Sequence, residues 1–233
     1  MKLSRSHLLI MTGAALVAAV YLSPSAVAEK PVPIPPPAQA LQASVGATQS
    51  SATAVFAGGC FWGIQAVFQH TKGVLSAVSG YAGGAQKDAD YEKVSSGDTG
   101  HAEAVEVRFD PRQISYAQLL QIYFSVAHDP TQLDRQYPDV GTQYRSEIFA
   151  VDPAQQSLAE RYIAQLDATK VFPIKIVTQV APLKGFYAAE KYHQNYATLN
   201  PGSPYIATYD LPKIANLKSM MPALYREKPV LVQ

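Results

Sequence analysis

Residues 53–68 read Thr53-Ala54-Val55-Phe56-Ala57-Gly58-Gly59-Cys60-Phe61-Trp62-Gly63-Ile64-Gln65-Ala66-Val67-Phe68. Thr53 to Ala57 is a short apolar run of the kind that forms a buried strand. Phe61, Ile64, Val67 and Phe68 recur on one helical face to about His70, and Gly73 is a candidate left-handed cap. Between strand and helix stand a glycine pair and the only cysteine of the chain.

Working outward, Val74 to Tyr81 reads as a strand ending at Gly83-Gly84. Ala102 to Phe109 alternates, with Ala102, Ala104, Val105, Val107 and Phe109 against Glu103, Glu106 and Arg108. The alternation slips between Ala104 and Val105, so pattern alone does not say which face carries Glu103. Ser115-Tyr116-Ala117-Gln118 opens a helix as a capping box, running through Leu119, Leu120, Ile122, Tyr123 and Val126. Asp152-Pro153 opens another through Leu158, Tyr162, Ile163 and Leu166. With strands at Glu147 to Val151 and Ile174 to Ala181, the order is β-α-β-β-α-β-α-β. That order predicts an α+β fold, a two-layer αβ plait with a ferredoxin-like core, extra helices and a long irregular C-terminal segment. In that segment Ile214, Leu217, Met220, Met221 and Leu224 fall at near-helical spacing and are expected to pack back onto the domain.

The chain has 233 residues, 48% hydrophobic and 16% charged, which describes a folding domain and excludes a disordered charged tail. Its net charge is +1. Setting aside residues 1–28, which hold Lys2 and Arg5 and no acids, leaves 17 basic and 18 acidic residues. Phosphate-backbone binding needs a basic surplus, so no nucleic-acid partner is expected. One cysteine excludes an internal disulfide and a cysteine-rich zinc site, and no HExxH or H-x-E-x-H spacing occurs, so no metal is expected.

Lys2 and Arg5 precede the apolar run Leu8 to Leu22 and then Ala26-Val27-Ala28, the pattern of a secretory signal cleaved after Ala28. About 15 apolar residues fall short of the roughly 20 that span a bilayer, which sets an uncleaved inner-membrane anchor second. Export to a bacterial periplasm follows as the expected location. Residues 29–52, rich in Pro, Ala, Gln and Ser, read as a linker, semi-rigid near its start. The folded domain is assigned to residues 53–233.

Cys60 at a helix start meets unpaired N–H groups and the positive end of the helix dipole, which lower a thiol pKa. The glycine pair is expected to leave the thiol accessible, with Phe61 and Trp62 as aromatic neighbours. The ordinary alternative is a structural cysteine in an aromatic core. His101, His128 and His193 raise a Cys-His hydrolase, but nothing in the sequence places them near Cys60.

Gly58-Gly59-Cys60-Phe61-Trp62-Gly63 resembles the signature of the A-type peptide methionine sulfoxide reductases (MsrA). The resemblance continues, in family order, through Gly80-Tyr81-Ala82-Gly83-Gly84, Tyr91 to Gly97, Thr99 to Glu103, His128-Asp129-Pro130, Gly141 to Ser146 and Tyr192-His193-Gln194-Asn195-Tyr196. It implies an oxidoreductase of protein repair under oxidative stress, in which Cys60 attacks the sulfoxide sulfur and Glu103 protonates the oxygen. Tyr91 and Tyr144 match the tyrosines that hold that oxygen. Phe61 and Trp62 match the pocket for the substrate's methyl group, and Asp139 and Tyr196 match further residues of the site. The implied substrate is the S epimer of methionine sulfoxide, free or in oxidised exported proteins. Taken without the resemblance, Glu103 in an alternating strand reads as a solvated residue, and most of the 14 tyrosines read as ordinary structural rings.

Many members of that family carry resolving cysteines near the C-terminus. Here Tyr205 falls where one common resolving cysteine would lie, and Ser95 where some relatives have another. With no bound cofactor implied, a sulfenic acid on Cys60 would await an external thiol: glutathione, or a thioredoxin-like, glutaredoxin-like or periplasmic thiol-reducing partner. A Cys60–Cys60 disulfide would be an inactive dimer, and the working state is expected to be a monomer. Two rivals stand beside this reading. A thiol peroxidase needs no methyl pocket, and a binding module would use the apolar cleft around Phe61 and Trp62 without chemistry.

Overall fold

A computed structural model describes residues 30–38 and 50–233, so the expected signal sequence lies outside the described residues. The opening strand, Ala52–Ala57 (β1), runs through Gly58-Gly59-Cys60 into the helix Phe61–Gln69 (α1). Val74–Ala82 (β2) follows, then the single-turn helix Tyr91–Val94 (α2) and the strand Ala102–Phe109 (β3). Both halves of the Ser115/Gln118 capping box form, and they start Tyr116–Ile122 (α3), which widens into a π turn over Tyr123–Ala127. A short ribbon of Arg135–Gln136 (β4) and Asp139–Val140 (β5) leads to Glu147–Ala150 (β6). Asp152 accepts from the Gln155 N–H and caps Pro153–Thr169 (α4). Gln179–Pro182 (β7), Phe186–Ala188 (β8), Tyr196–Leu199 (α5) and Leu211–Met220 (α6) complete the described chain.

The main sheet has the order β7-β6-β1-β3-β2-β8. All its pairings are antiparallel except β6 with β7. The fold is therefore mixed α+β. Helices α1, α3 and α4 cover one face, where Ile64, Val67, Phe68, Leu120 and Leu158 meet Phe56, Val105 and Phe109 of the sheet. Phe56 is stacked between Phe68 at 5.2 Å and Tyr123 at 5.0 Å. Val55, Ala57, Ala102, Ala104 and Phe149 form a thinner second cluster on the opposite face.

This arrangement resolves the slipped alternation in β3. The strand pairs with β1 without a bulge from Ala52↔Phe109 to Ala57↔Ala104, so the two-residue period is unbroken. Glu103 therefore shares the helix-covered face with Val105, Val107 and Phe109. Ala102 and Ala104 look apolar in the pattern because the reverse face is covered as well.

Two expectations are corrected. The strand predicted over Ile174 to Ala181 is confined to Gln179–Pro182. Upstream, the Ile176 N–H goes to Asp167 Oδ1 in the last turn of α4 at 3.1 Å and the Val177 N–H to the Pro130 carbonyl at 2.8 Å, so these donors are drawn off the ladder by a helix end and a loop. The proline-rich stretch expected to be a tether is docked over residues 30–38. The Val32 N–H donates to the Ser125 carbonyl and Ser125 Oγ returns a bond to the Val32 carbonyl at 2.7 Å. Tyr162 Oη donates to the Pro35 carbonyl at 2.7 Å, and Gln165 clasps Pro36 and Ala38. Ile34 is buried in the core beneath this strap.

Each strap bond should contribute about 1 kcal/mol net. The double variant Ser125→Ala/Tyr162→Phe is expected to lower the melting temperature by roughly 4–8 °C, at 2–4 °C per kcal/mol for a domain of this size. It should also make residues 30–38 cleavable by protease. An unchanged melting curve and digestion pattern would show that the strap contributes nothing to the fold.

Candidate active site

Gly58 and Gly59 are dictated by what packs on them. A Cβ at Gly58 would lie 2.9 Å from the His128 ring, and one at Gly59, where φ is +94°, would lie 2.5 Å from Gln136 Cβ. The backbone can thus turn from β1 into α1 while β4 closes over it. Gly63 is equally constrained, because its Cβ would strike the Asp210 carboxylate.

Cys60 precedes the first turn of α1 but is only 9% exposed, so the glycine pair does not leave the thiol open. Its pKa is also the reverse of the expectation. Burial pushes the thiol well above its ordinary range, the Glu103, Asp210 and Asp139 carboxylates push the same way, and the Trp62 N–H only partly opposes them. Cys60 rests as a thiol.

Glu103 is 3% exposed and accepts the Phe61 N–H on Oε2 at 3.0 Å. Burial raises its carboxyl to about 8; the Phe61 N–H lowers it, while Asp139 and Asp210 add to the rise. A neutral carboxyl therefore stands at the helix start at neutral pH, able to give a proton.

The two matched tyrosines come from separate segments. Tyr91 opens α2, its N–H donating to Glu190 Oε1 at 3.0 Å. Tyr144 ends the 3-10 turn Thr142–Tyr144, which is tied to the loop after α2 by Thr142 Oγ1 to the Gly97 carbonyl and Gln143 Nε2 to the Ser95 carbonyl. Arg145 fastens the same turn from below, to Glu147 Oε2 at 2.7 Å and to the Gly100 carbonyl. Both tyrosine hydroxyls are raised above their ordinary range, first by burial and then by Glu103, with Cys60 contributing, so both remain donors. Asp139 in β5 is raised by burial and accepts a hydrogen bond from Tyr205 Oη.

The two aromatics after the cysteine separate. Phe61 is 1% exposed, beneath the site against Tyr81 and the His193 ring. Trp62 is half-buried, stacked on Tyr196 at 3.9 Å and 15° and edge-on to Tyr205 at 6.0 Å. Trp62 is thus the ring that can face a substrate.

Histidine placement leaves no ring hydrogen-bonded to Cys60 among the described residues. His193 Nδ1 accepts from Trp62 Nε1 at 3.2 Å and orients the indole. His101 spans Gly84 and Ala85. His128 donates to the Tyr123 carbonyl from Nδ1 and takes the Ser146 hydroxyl at Nε2, with burial lowering it to about 3.

Sequence reasoning missed the supporting residues. Gln194 joins Gln65 of α1 to the backbone of Ser79 and Ala189, and Asn195 bonds Gln69, Gln65 and Val232. Glu190 accepts from Tyr81 Oη and the Tyr91 N–H. Asp210, fully buried, pairs with Lys213 at 3.8 Å behind Gly63. The block Tyr192 to Tyr196 was the only signal for any of these, because their partners lie more than a hundred residues away in most cases.

A buried thiol, a neutral carboxyl and tyrosine donors around one helix start, rimmed by an indole, define a thiol-based oxidoreductase that handles a neutral, oxygen-bearing substrate. The comparisons with known proteins agree. Residues 52–223 match the family model for peptide methionine sulfoxide reductase. A Mesorhizobium japonicum protein named peptide methionine sulfoxide reductase MsrA 2 is 62% identical over 186 residues, covering 80% of this chain and 95% of that one. A Deinococcus radiodurans MsrA is 50% identical over 173 residues, covering 74% and 82%. Among solved structures, reduced Mxr1 from Saccharomyces cerevisiae superposes with a TM-score of 0.63 at 32% identity, over 68% of this chain and 91% of that one. Methionine sulfoxide reductase A of Corynebacterium diphtheriae gives 0.58 at 34% identity, over 76% and 87%. The chain belongs to the MsrA family of peptide methionine sulfoxide reductases and is an oxidoreductase that reduces methionine sulfoxide.

Proposed function

We propose that the protein reduces the S epimer of methionine sulfoxide, free or within oxidised exported proteins, through a sulfenic acid on Cys60 that an external thiol removes. The single observation that carries this reading is the pairing of a buried thiol with a neutral Glu103 carboxyl at the start of α1. Glu103 protonates the sulfoxide oxygen, leaving positive charge on the substrate sulfur. The Cys60 proton passes to the Glu103 carboxylate, and Cys60 Sγ attacks that sulfur. The S–O bond breaks as the hydroxyl moves to Cys60, giving methionine and Cys60 sulfenic acid, a two-electron exchange in which the substrate sulfur is reduced and Cys60 is oxidised. Tyr91 and Tyr144 donate to the oxygen throughout, and Trp62 with Tyr196 holds the methyl group. Phe61 supports this pocket from beneath, and Asp139 holds Tyr205 at its rim.

The 233 residues contain no second cysteine to resolve the sulfenic acid. A thiol then attacks Cys60, water leaves, and a second thiol frees Cys60 from the mixed disulfide. Glutathione or a thioredoxin-like, glutaredoxin-like or periplasmic thiol-reducing partner suits this step. The N-terminal pattern supports export, with cleavage after Ala28 and work in a bacterial periplasm as a monomer. The core is read as a ferredoxin-like plait, supported by the order β6-β1-β3-β2 with antiparallel neighbours and by α1 and α3 on one face.

The test supplies reduced protein, without added thiol, with each pure epimer of N-acetylated methionine sulfoxide. About one methionine per chain from the S epimer alone, with one oxygen gained on Cys60 by mass spectrometry, is expected. Several turnovers without thiol, or equal use of both epimers, would overturn the proposal. Trp62→Ala should lower kcat/KM for the sulfoxide about 10–200-fold, the range a small apolar group commands in a pocket. A thiol peroxidase would instead keep its rate with peroxide after that change.

A further inference from the structure

The rings that begin at the methyl pocket continue to the surface. Tyr205, edge-on to Trp62, lies 5.1 Å from Tyr209, and Tyr209 lies 5.9 Å from Tyr137. Tyr205 and Tyr209 are held at the π turn Ile206–Asp210 that leads into α6, and Tyr137 sits between β4 and β5, the strand that bears Asp139. Tyr205 and Tyr209 are half-buried, and Tyr137 is 50% exposed. The same loop exposes Leu133 and Val140 at 59% and 67%, so apolar surface is concentrated beside the catalytic helix start.

We propose that the row Tyr205-Tyr209-Tyr137 is a subsite for the polypeptide that flanks an oxidised methionine. This rests on the methionine sulfoxide reading. Once the methyl group is against Trp62, a substrate main chain crossing the adjoining rim meets these rings. The row is continuous with the reaction site. An extended chain advances about 3.4 Å per residue, so the path from Trp62 to Tyr137 accommodates roughly five residues, far beyond the reach of a free amino acid. The rings present flat apolar faces and neutral hydroxyls, Tyr205 and Tyr209 both being raised in pKa by burial first. Such a surface suits peptide planes and uncharged side chains without selecting by charge, and favours segments already unfolded.

The experiment measures single-turnover methionine formation without thiol, which isolates the substrate step from recycling. The probes are N-acetyl-methionine-S-sulfoxide N-methylamide and an acetylated, amidated seven-residue peptide with the same sulfoxide at its centre among small uncharged residues. Tyr137→Ala/Tyr209→Ala should lower the second-order rate for the peptide about tenfold, as expected for losing two aromatic contacts, and leave the small amide within about twofold. Tyr137→Phe/Tyr209→Phe should keep most of the peptide rate, and Ile174→Ala, exposed on another loop, should change neither. Equal loss on both probes would make the row a structural support for the site, and no loss on either would remove it from recognition. Loss confined to multiple-turnover assays with a thiol-reducing protein would assign the row to the reductant instead and also overturn the proposal. If the wild-type protein reduces neither probe, the methionine sulfoxide reading fails first.

Discussion

Cys60→Ser is expected to reduce methionine formation to background, a fall of at least about 10⁴-fold, the scale of losing a nucleophile that works as part of a unit. A serine hydroxyl at this position cannot become the attacking anion near neutral pH, and it has no counterpart of the sulfenic acid that stores the transferred oxygen. The surroundings make the deficit larger, since the same burial and carboxylates that raise the thiol would raise an alkoxide further. The substitution is nearly isosteric at a site 9% exposed, so the fold should persist. Trp62 is the only tryptophan in the chain, which makes its fluorescence a direct report of an occupied pocket. The expected result is an unchanged fluorescence titration with the sulfoxide and no product. If the variant still formed methionine, Cys60 would not be the nucleophile; if the biological effect survived with catalysis gone, the binding-module reading would hold.

Glu103→Gln is expected to lower kcat by about 10²–10⁴, the usual range for removing a general acid. Gln keeps an oxygen for the Phe61 N–H, so the start of α1 should stay in place. With the carboxyl raised to about 8, the donor form persists through neutral pH and is lost above it. Wild-type kcat should therefore fall on the alkaline side with a midpoint near 8, and the variant should lack that limb. Stability should also fall as pH rises, but over a lower interval. Below its ordinary pKa of 4.5 the carboxyl is neutral in both folded and unfolded chains. From there to about 8 the unfolded chain releases the proton while the folded one retains it, so the wild type loses stability as pH rises, on the order of a few kcal/mol. The variant should unfold at a higher temperature than the wild type, with the gap opening over that interval and then levelling. A gap independent of pH would mean that Glu103 titrates normally in the folded protein.

Read from the chain, β1, α1, the capped starts of α3 and α4 and the strand β3 were all legible, because each depends on neighbours a few residues away. Where the pattern failed, a distant contact intervened. The predicted strand before Gln179 was lost to Asp167 and Pro130, and the proline stretch acquired partners on Ser125, Tyr162 and Gln165 that no local composition announces. Phe61 and Trp62, adjacent in sequence and alike in composition, diverged into a buried support and a half-exposed face because neighbours on a helix point about a quarter-turn or more apart.

The sequence by itself determined that the 233 residues hold a single cysteine, that it stands at a helix start, and, through ordered motifs, the family. Only the tertiary structure decided that Glu103 faces inward, that the Cys60 thiol is raised instead of lowered, that the strap is docked, and that three tyrosines from two distant segments stand in a row beside Trp62. The physical reason is range. Capping, periodicity and turn chemistry act along the chain over a few residues, whereas desolvation and Coulomb interactions act through space, and Cys60 is raised first by burial and then by acidic groups 43, 150 and 79 positions away.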